Sequence, residues 1–136
     1  MPHVLLIDDE TEATSIFGRF LDTAGIENDS AASGQKGLQK AFTSQPDVVI
    51  LDIMMPDMTG YEVCRRLRQD PRTARTAILM LTARGQMVDQ QMSFRVGADA
   101  YMAKPVRRSE LIEAVEELLE DKSKDESPLG HQILIL

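Results

Sequence analysis

The stretch Val48-Val49-Ile50-Leu51-Asp52-Ile53-Met54-Met55-Pro56-Asp57-Met58-Thr59-Gly60 decides how the rest of the chain is read. Four apolar residues run into one carboxylate. An uninterrupted apolar run of that length suits a strand buried on both faces, as in a parallel sheet. Asp52 then stands at the carboxyl end of the strand, where ligands and chemistry collect in open α/β sheets. Pro56 and Gly60 mark a loop. Thr59 and Glu62 have capping-box spacing, so a helix starts at Gly60 and runs to about Gln69.

The same unit recurs on both sides of this stretch. Val4-Leu5-Leu6-Ile7 is a second apolar run, ending in Asp8-Asp9-Glu10. Ala13, Ile16, Phe17, Phe20, Leu21 and Ala24 then recur at helical spacing, and Gly25 stops the helix. Residues 26–32 read as a weaker strand at a sheet edge. A helix over 34–44 turns Leu38, Ala41 and Phe42 inward. Beyond the central unit, Ala77-Ile78-Leu79-Met80-Leu81 ends in Thr82. Val88, Met92 and Val96 give a thin inward stripe to a loosely held helix over about 86–96. Ala100-Tyr101-Met102-Ala103 is a short strand ending at Lys104-Pro105. Ser109 caps a last helix with a strong stripe of Leu111, Ile112, Val115, Leu118 and Leu119.

Five strand–helix repeats predict an α/β fold: a doubly wound, five-stranded parallel sheet with helices on both faces and right-handed crossovers. The strand order 2-1-3-4-5 is taken over from known flavodoxin-like folds. Residues 1–121 are expected to form the domain, and 122–136 a polar linker and an apolar tail, Ile133-Leu134-Ile135-Leu136. With 136 residues the chain is one domain by length. A net charge of -7 argues against sequence-independent nucleic-acid binding. Without Trp and with few aromatics, a base-stacking surface is not expected either. No apolar run is long enough for a membrane span. Cys64 is the single cysteine, so there is no internal disulfide and no cysteine metal cluster. Met1-Pro2-His3-Val4 leads straight into a strand, without a signal peptide. A cytoplasmic protein is expected.

In that strand order Asp8, Asp9 and Asp52 converge between strands 1 and 3. Converging carboxylates repel and need protons or a cation. A hard divalent ion such as Mg²⁺ accepts a few carboxylates and keeps several waters. Thr82 and Lys104 reach the same rim. A hydroxyl and an ammonium beside a metal-bound carboxylate suit a phosphoryl group, with the carboxylate as nucleophile. Placement alone therefore points to phosphoryl transfer onto Asp52.

Over residues 3–121 the chain resembles the receiver domains of two-component response regulators, the CheY-like superfamily. The resemblance rests on Leu6-Ile7-Asp8-Asp9-Glu10, Leu51 to Gly60, Leu81-Thr82-Ala83 and Gly97 to Pro105, in that order and spacing. It implies that Asp52 is the phosphoacceptor, charged from a sensor histidine kinase or a phosphotransfer protein. Asp9, Asp52 and the backbone carbonyl of Met54 would ligate Mg²⁺, with Asp8 acting directly or through water. Lys104 would pair with the phosphate. Thr82 would move toward it and Tyr101 would turn inward, changing the face of helix 4, strand 5 and helix 5. The Lys104-Pro105 bond would be cis, Thr59 would cap helix 3 where many receivers have Asp, and Met54 and Arg84 would bear on phosphoryl lifetime.

Each residue also has a plainer reading. Singly, Asp8, Asp9 and Asp52 could cap helices and form turns; with Thr82 and Lys104, five suitable strand-end groups make chance coincidence improbable. Tyr101 could simply pack. Cys64 reads as a small packing residue, His3 and His131 as isolated, and Arg65, Arg66 and Arg68 as a solvated face. The tail is either a frayed end or an apolar handle for a partner. The expectation is a phosphorylation switch acting through a downstream effector protein, with homodimers possible. About fifteen residues after helix 5 suit a stand-alone receiver, although a fragment of a longer regulator fits the tail composition too. An aspartate-nucleophile phosphatase is the alternative. Such enzymes typically carry a second Asp two residues after the nucleophile, where this chain has Met54, and there is no cap domain.

Overall fold

The computed structural model describes residues 2–83 and 86–124, with side chains as far as residue 121. Arg84, His131 and the Ile133–Leu136 tail lie outside the described residues. The elements are β1 (His3–Ile7), α1 (Thr11–Thr23), β2 (Glu27–Ala31), α2 (Gly34–Ser44), β3 (Val48–Leu51), α3 (Gly60–Gln69), β4 (Ala77–Thr82), α4 (Met87–Arg95), β5 (Ala100–Ala103) and α5 (Arg108–Lys124). The strands form one parallel sheet in the order β2-β1-β3-β4-β5, the doubly wound α/β architecture expected.

Successive strand residues point to opposite faces, which divides the core in two. On one face Val4, Leu6, Val48, Ile50, Leu79 and Leu81 meet the apolar stripes of α1 and α5. On the other, Leu5, Ile7, Val49, Leu51, Ile78 and Met80 meet α2 and α3. Burial on both faces explains why the central strands read as unbroken apolar runs. The edge strand β2 is buried only at Ala31.

Five local expectations are revised. The Val88–Met92–Val96 stripe faces inward only at Val96. Val88 is 59% and Met92 38% exposed, and Val96 is only partly buried; the buried residues of α4 are Asp89 and Ser93. Likewise Ile16 lies on the outer side of α1 at 44% exposure. Ser109 does not cap α5, because the helix starts one residue earlier. Glu110 instead reaches back and accepts the Arg107 amide at 2.9 Å. The helix also continues through Ser123 and Lys124, which the polar composition assigned to the tail.

Finally, Arg68 is no part of a solvated face. It donates to the carbonyls of Ala74, Thr76 and Gly97 and pairs with Asp99 at 2.8 Å. Asp99 also accepts the Ile78 amide at 2.8 Å. The group thus ties α3, the start of β4 and the turn after α4 together. Burial holds the Asp99 carboxyl above its ordinary value, although Arg68 pulls the other way.

Candidate functional site

The carboxyl ends of β1, β3, β4 and β5 deliver Asp8 and Asp9, Asp52, Thr82 and Lys104 to one rim of the sheet. Ladder bonds continue into the site and fix its backbone: the Asp52 amide donates to Ile7 at 3.0 Å, and the Lys104 amide to Thr82 at 2.7 Å. Carboxylate oxygens of Asp8, Asp9 and Asp52 all lie within 4.8 Å of one another. Asp8 and Asp52 are each 6% exposed, while Asp9 is half-buried.

Lys104 Nζ lies 2.7 Å from Asp8 Oδ2 and 6.0 Å from the centre of the Phe17 ring. Asp8 also accepts the Glu10 amide at 2.9 Å, which turns the chain into α1. Asp52 Oδ1 accepts the Ile53 amide at 2.9 Å, and the Thr82 hydroxyl bonds to the same carboxylate. Burial, and then the neighbouring charge of Asp8, hold the Asp52 carboxyl above its ordinary value; Lys104, Thr82 and the Ile53 amide pull it down. Burial works against the charge on Lys104, but the bond to Asp8 and the charges of Asp8, Asp52 and Glu10 outweigh it and raise its pKa.

Three carboxylates so close, two of them buried, form an oxygen-only donor set with excess negative charge. That set fits Mg²⁺, which takes hard oxygen ligands and retains water. Met54 follows Asp52 in the loop, with its side chain half exposed. Tyr101 is buried at 5% exposure, and the Thr82 hydroxyl already reaches Asp52. The Lys104-Pro105 bond is cis.

Thr59 caps α3, accepting the Glu62 amide at 3.2 Å. Glu62 does not complete the capping box; its carboxylate turns to Arg65 and Arg66. Cys64 is fully buried, and desolvation pushes its thiol up to about 12. Two contacts escaped the sequence reading. The Tyr61 hydroxyl donates to Asp89 at 2.6 Å, and Asp57 accepts the Gly34 and Gln35 amides at 3.0 and 2.9 Å. Their partners lie 22 to 28 residues apart, so no local spacing signals them.

A doubly wound parallel sheet with an acidic rim defines a class of α/β domains, and comparison with known proteins narrows it. Residues 4–116 match the family model described as response regulator receiver domain. The chain belongs to that family. It is 42% identical over 119 residues to the DNA-binding dual master transcriptional regulator RpaA of Synechocystis, covering 88% of this chain and 49% of that protein. The phosphate regulon regulator PhoB of Rhizobium meliloti is 39% identical over 120 residues, covering 88% and 52%. The chain thus spans about half the length of the curated relatives it matches. Among solved structures, a CheY-like receiver domain protein of Methanospirillum hungatei superposes with a TM-score of 0.86 at 28% identity, covering 91% of this chain and 98% of the other. A response regulator of Chloroflexus aurantiacus gives 0.83 at 40% identity, covering 88% and 99%. Receiver domains are generally signalling proteins, and the acidic cluster matches the general use of Mg²⁺ in the family. Among the described residues no helix is long and apolar enough to cross a membrane.

Proposed function

We propose that the chain is a phosphorylation-controlled switch in which Asp52 accepts a phosphoryl group from the phosphohistidine of a sensor kinase or phosphotransfer protein. The convergence of three carboxylates with Thr82 and Lys104 on one rim carries this reading. A carboxylate oxygen of Asp52 attacks phosphorus, an O–P bond forms, and the N–P bond to the donor imidazole breaks. The imidazole leaves with the electron pair of that bond. Asp8, Asp9, Asp52 and the Met54 carbonyl would hold Mg²⁺, which when bound neutralises the oxygens of the transferring group. Lys104 leaves Asp8 and pairs with a phosphoryl oxygen, and the Thr82 hydroxyl donates to another. Burial of the rim keeps bulk water from competing.

Phosphorylation then favours the arrangement with Thr82 on the site and Tyr101 inward, by the difference in its interactions with the two states. The face of α4, β5 and α5 is the proposed output, read by a downstream effector protein or a second copy. The acidic balance of the chain supports a protein partner over nucleic acid for this domain. A cytoplasmic location suits a kinase-fed switch.

Incubation with Mg²⁺ and acetyl phosphate should add one phosphoryl group, seen by intact mass. Asp52→Asn should abolish it and Lys104→Ala should reduce it strongly. Labelling that survives Asp52→Asn would remove Asp52 from its role.

A further inference from the structure

We propose that Asp57 is a positioning residue of the cation site, acting as a strut between the β3–α3 loop and the amino end of α2. The inference rests on the cation reading above and extends it to a residue that touches neither metal nor phosphate.

Two segments must be held in register for the rim to work: the end of β1, which carries Asp8 and Asp9, and the loop after Asp52, which carries the Met54 carbonyl. Helix α2 touches both. At Gly37 it lies directly on Ile7, the residue before Asp8. A Cβ there would come within 2.6 to 2.8 Å of three Ile7 side-chain atoms. At its amino end, Gly34 leaves room for Met58, which a Cβ would overlap. Asp57 then binds the amides of Gly34 and Gln35 through its two oxygens, at 3.0 and 2.9 Å.

These are not the amides that the helix's own cap takes. Ser33 already caps α2 from within, its hydroxyl accepting the Lys36 amide at 3.1 Å and its carbonyl the Gly37 amide at 2.9 Å. The two remaining first-turn donors are left for a group from elsewhere. A carboxylate suits them, because its charge faces the positive end of the helix and both bonds are charge-assisted. The same bonds hold the Asp57 carboxyl below its ordinary value.

The loop is thereby fixed on both sides of Met54. Before it, the Ile53 side chain is fully buried and the Ile53 carbonyl accepts the Gly60 amide at 2.7 Å. After it, Asp57 and Met58 are clamped to α2. Without the strut, the segment between Ile53 and Gly60 keeps Ile53 and the buried Met55 side chain but loses its charge-assisted tie to α2.

Calorimetric titration of Mg²⁺ into the purified chain tests this. Asp57→Ala should weaken Mg²⁺ binding by about tenfold, the low end of what removing a residue behind the metal ligands costs. Asp57→Asn, which keeps one accepting oxygen, should recover part of the loss. Ser33→Ala removes a cap from the same helix without touching the strut, and should leave Mg²⁺ affinity unchanged. Amide exchange at Gly34 and Gln35 should rise in Asp57→Ala. Affinity within about twofold of wild type in Asp57→Ala, or an equal loss in Ser33→Ala, would reduce Asp57 to a helix cap and overturn the proposal. Asp9→Asn is the reference for the site itself. If wild type takes no Mg²⁺, or Asp9→Asn takes it equally well, the cation reading fails and the strut with it.

Discussion

Helices α4 and α5 pack on opposite faces of the sheet, α4 against the edge strand β5 and α5 against β3 and β4, and they are held there by different forces. α5 turns Leu111, Ile112, Ala114, Val115 and Leu118 into the core. α4 does the reverse. Its buried residues are Asp89 and Ser93, while Met87 is 73% exposed and Val88 and Met92 face outward with it. Burying a Leu or Val side chain contributes about 1.5–3 kcal/mol, whereas a net hydrogen bond contributes about 0.5–1.5 kcal/mol. α5 is therefore fixed by many non-directional contacts. α4 depends on few contacts: the bond from Tyr61 to Asp89 at 2.6 Å and the packing of Phe94 and Val96 near its end. A helix held in this way can shift without opening the core, which suits the element proposed to respond to Asp52.

The largest effect should come from the apolar side. Leu111→Ala deletes a fully buried side chain and should cost about 2–5 kcal/mol of global stability, measured by urea unfolding. A loss below about 1 kcal/mol would mean that α5 is no better anchored than α4. Tyr61→Phe removes one hydroxyl and should cost about 1–2 kcal/mol. Its signature is local: amide exchange should quicken across residues 87–95 and stay unchanged across α5. Uniform quickening over both helices would erase the distinction between them.

The strands and the rim could be read from the chain because each apolar run ends abruptly in a group with chemistry: Asp8, Asp52, Thr82 and Lys104. Two-sided burial makes the strand visible, and the first polar residue marks where it leaves the core. The orientation of α4 could not be read, because periodicity assumes that the inside is apolar. Val88 and Met92 satisfy that assumption and mislead, since the inward positions there are the polar Asp89 and Ser93. Asp89 is matched by Tyr61, 28 residues away. Arg68 follows the same logic: in Arg65-Arg66-Leu67-Arg68 it looks solvated, yet its partners lie 6 to 31 residues further on. Asp57 belongs with them, an acid whose use depends on a helix end contributed by another unit.

Metal-free stability at the rim offers a middle-sized test of how much strain the polar side of the molecule carries. Burial and Asp8 hold the Asp52 carboxyl above its ordinary value, so the ionised form is disfavoured in the fold. That penalty is fully present above the folded-state pKa and disappears as pH falls to the unfolded one. Asp52→Asn should therefore raise the melting temperature at neutral pH without Mg²⁺. The gain should shrink when Mg²⁺ is added, since the ion favours the wild-type carboxylate. An equal gain with and without Mg²⁺ would separate the charge of Asp52 from any cation.

The smallest effect at neutral pH belongs to the seam where α3 meets the end of α4. Cys64 lies there fully buried, its Sγ 3.5 Å from the Val96 carbonyl. Desolvation raises its thiol from 9.0 to about 12. Between those values the folded state keeps a proton that the unfolded chain has lost, so stability falls as pH rises through that window, with a limiting slope of about 1.4 kcal/mol per pH unit from this group. At pH 8 both states are protonated and the thiol contributes no pH dependence, but its burial still blocks reagents. Cys64 should resist a disulfide-exchange reagent in the native protein and react at once in denaturant. In Tyr61→Phe, labelling should quicken modestly, because loosening α4 uncovers the seam from one side. Leu111→Ala, acting from the other face of the sheet, should quicken it only as far as its global unfolding allows. Equal acceleration per kilocalorie lost in the two variants would mean that α4 opens only when the whole domain does.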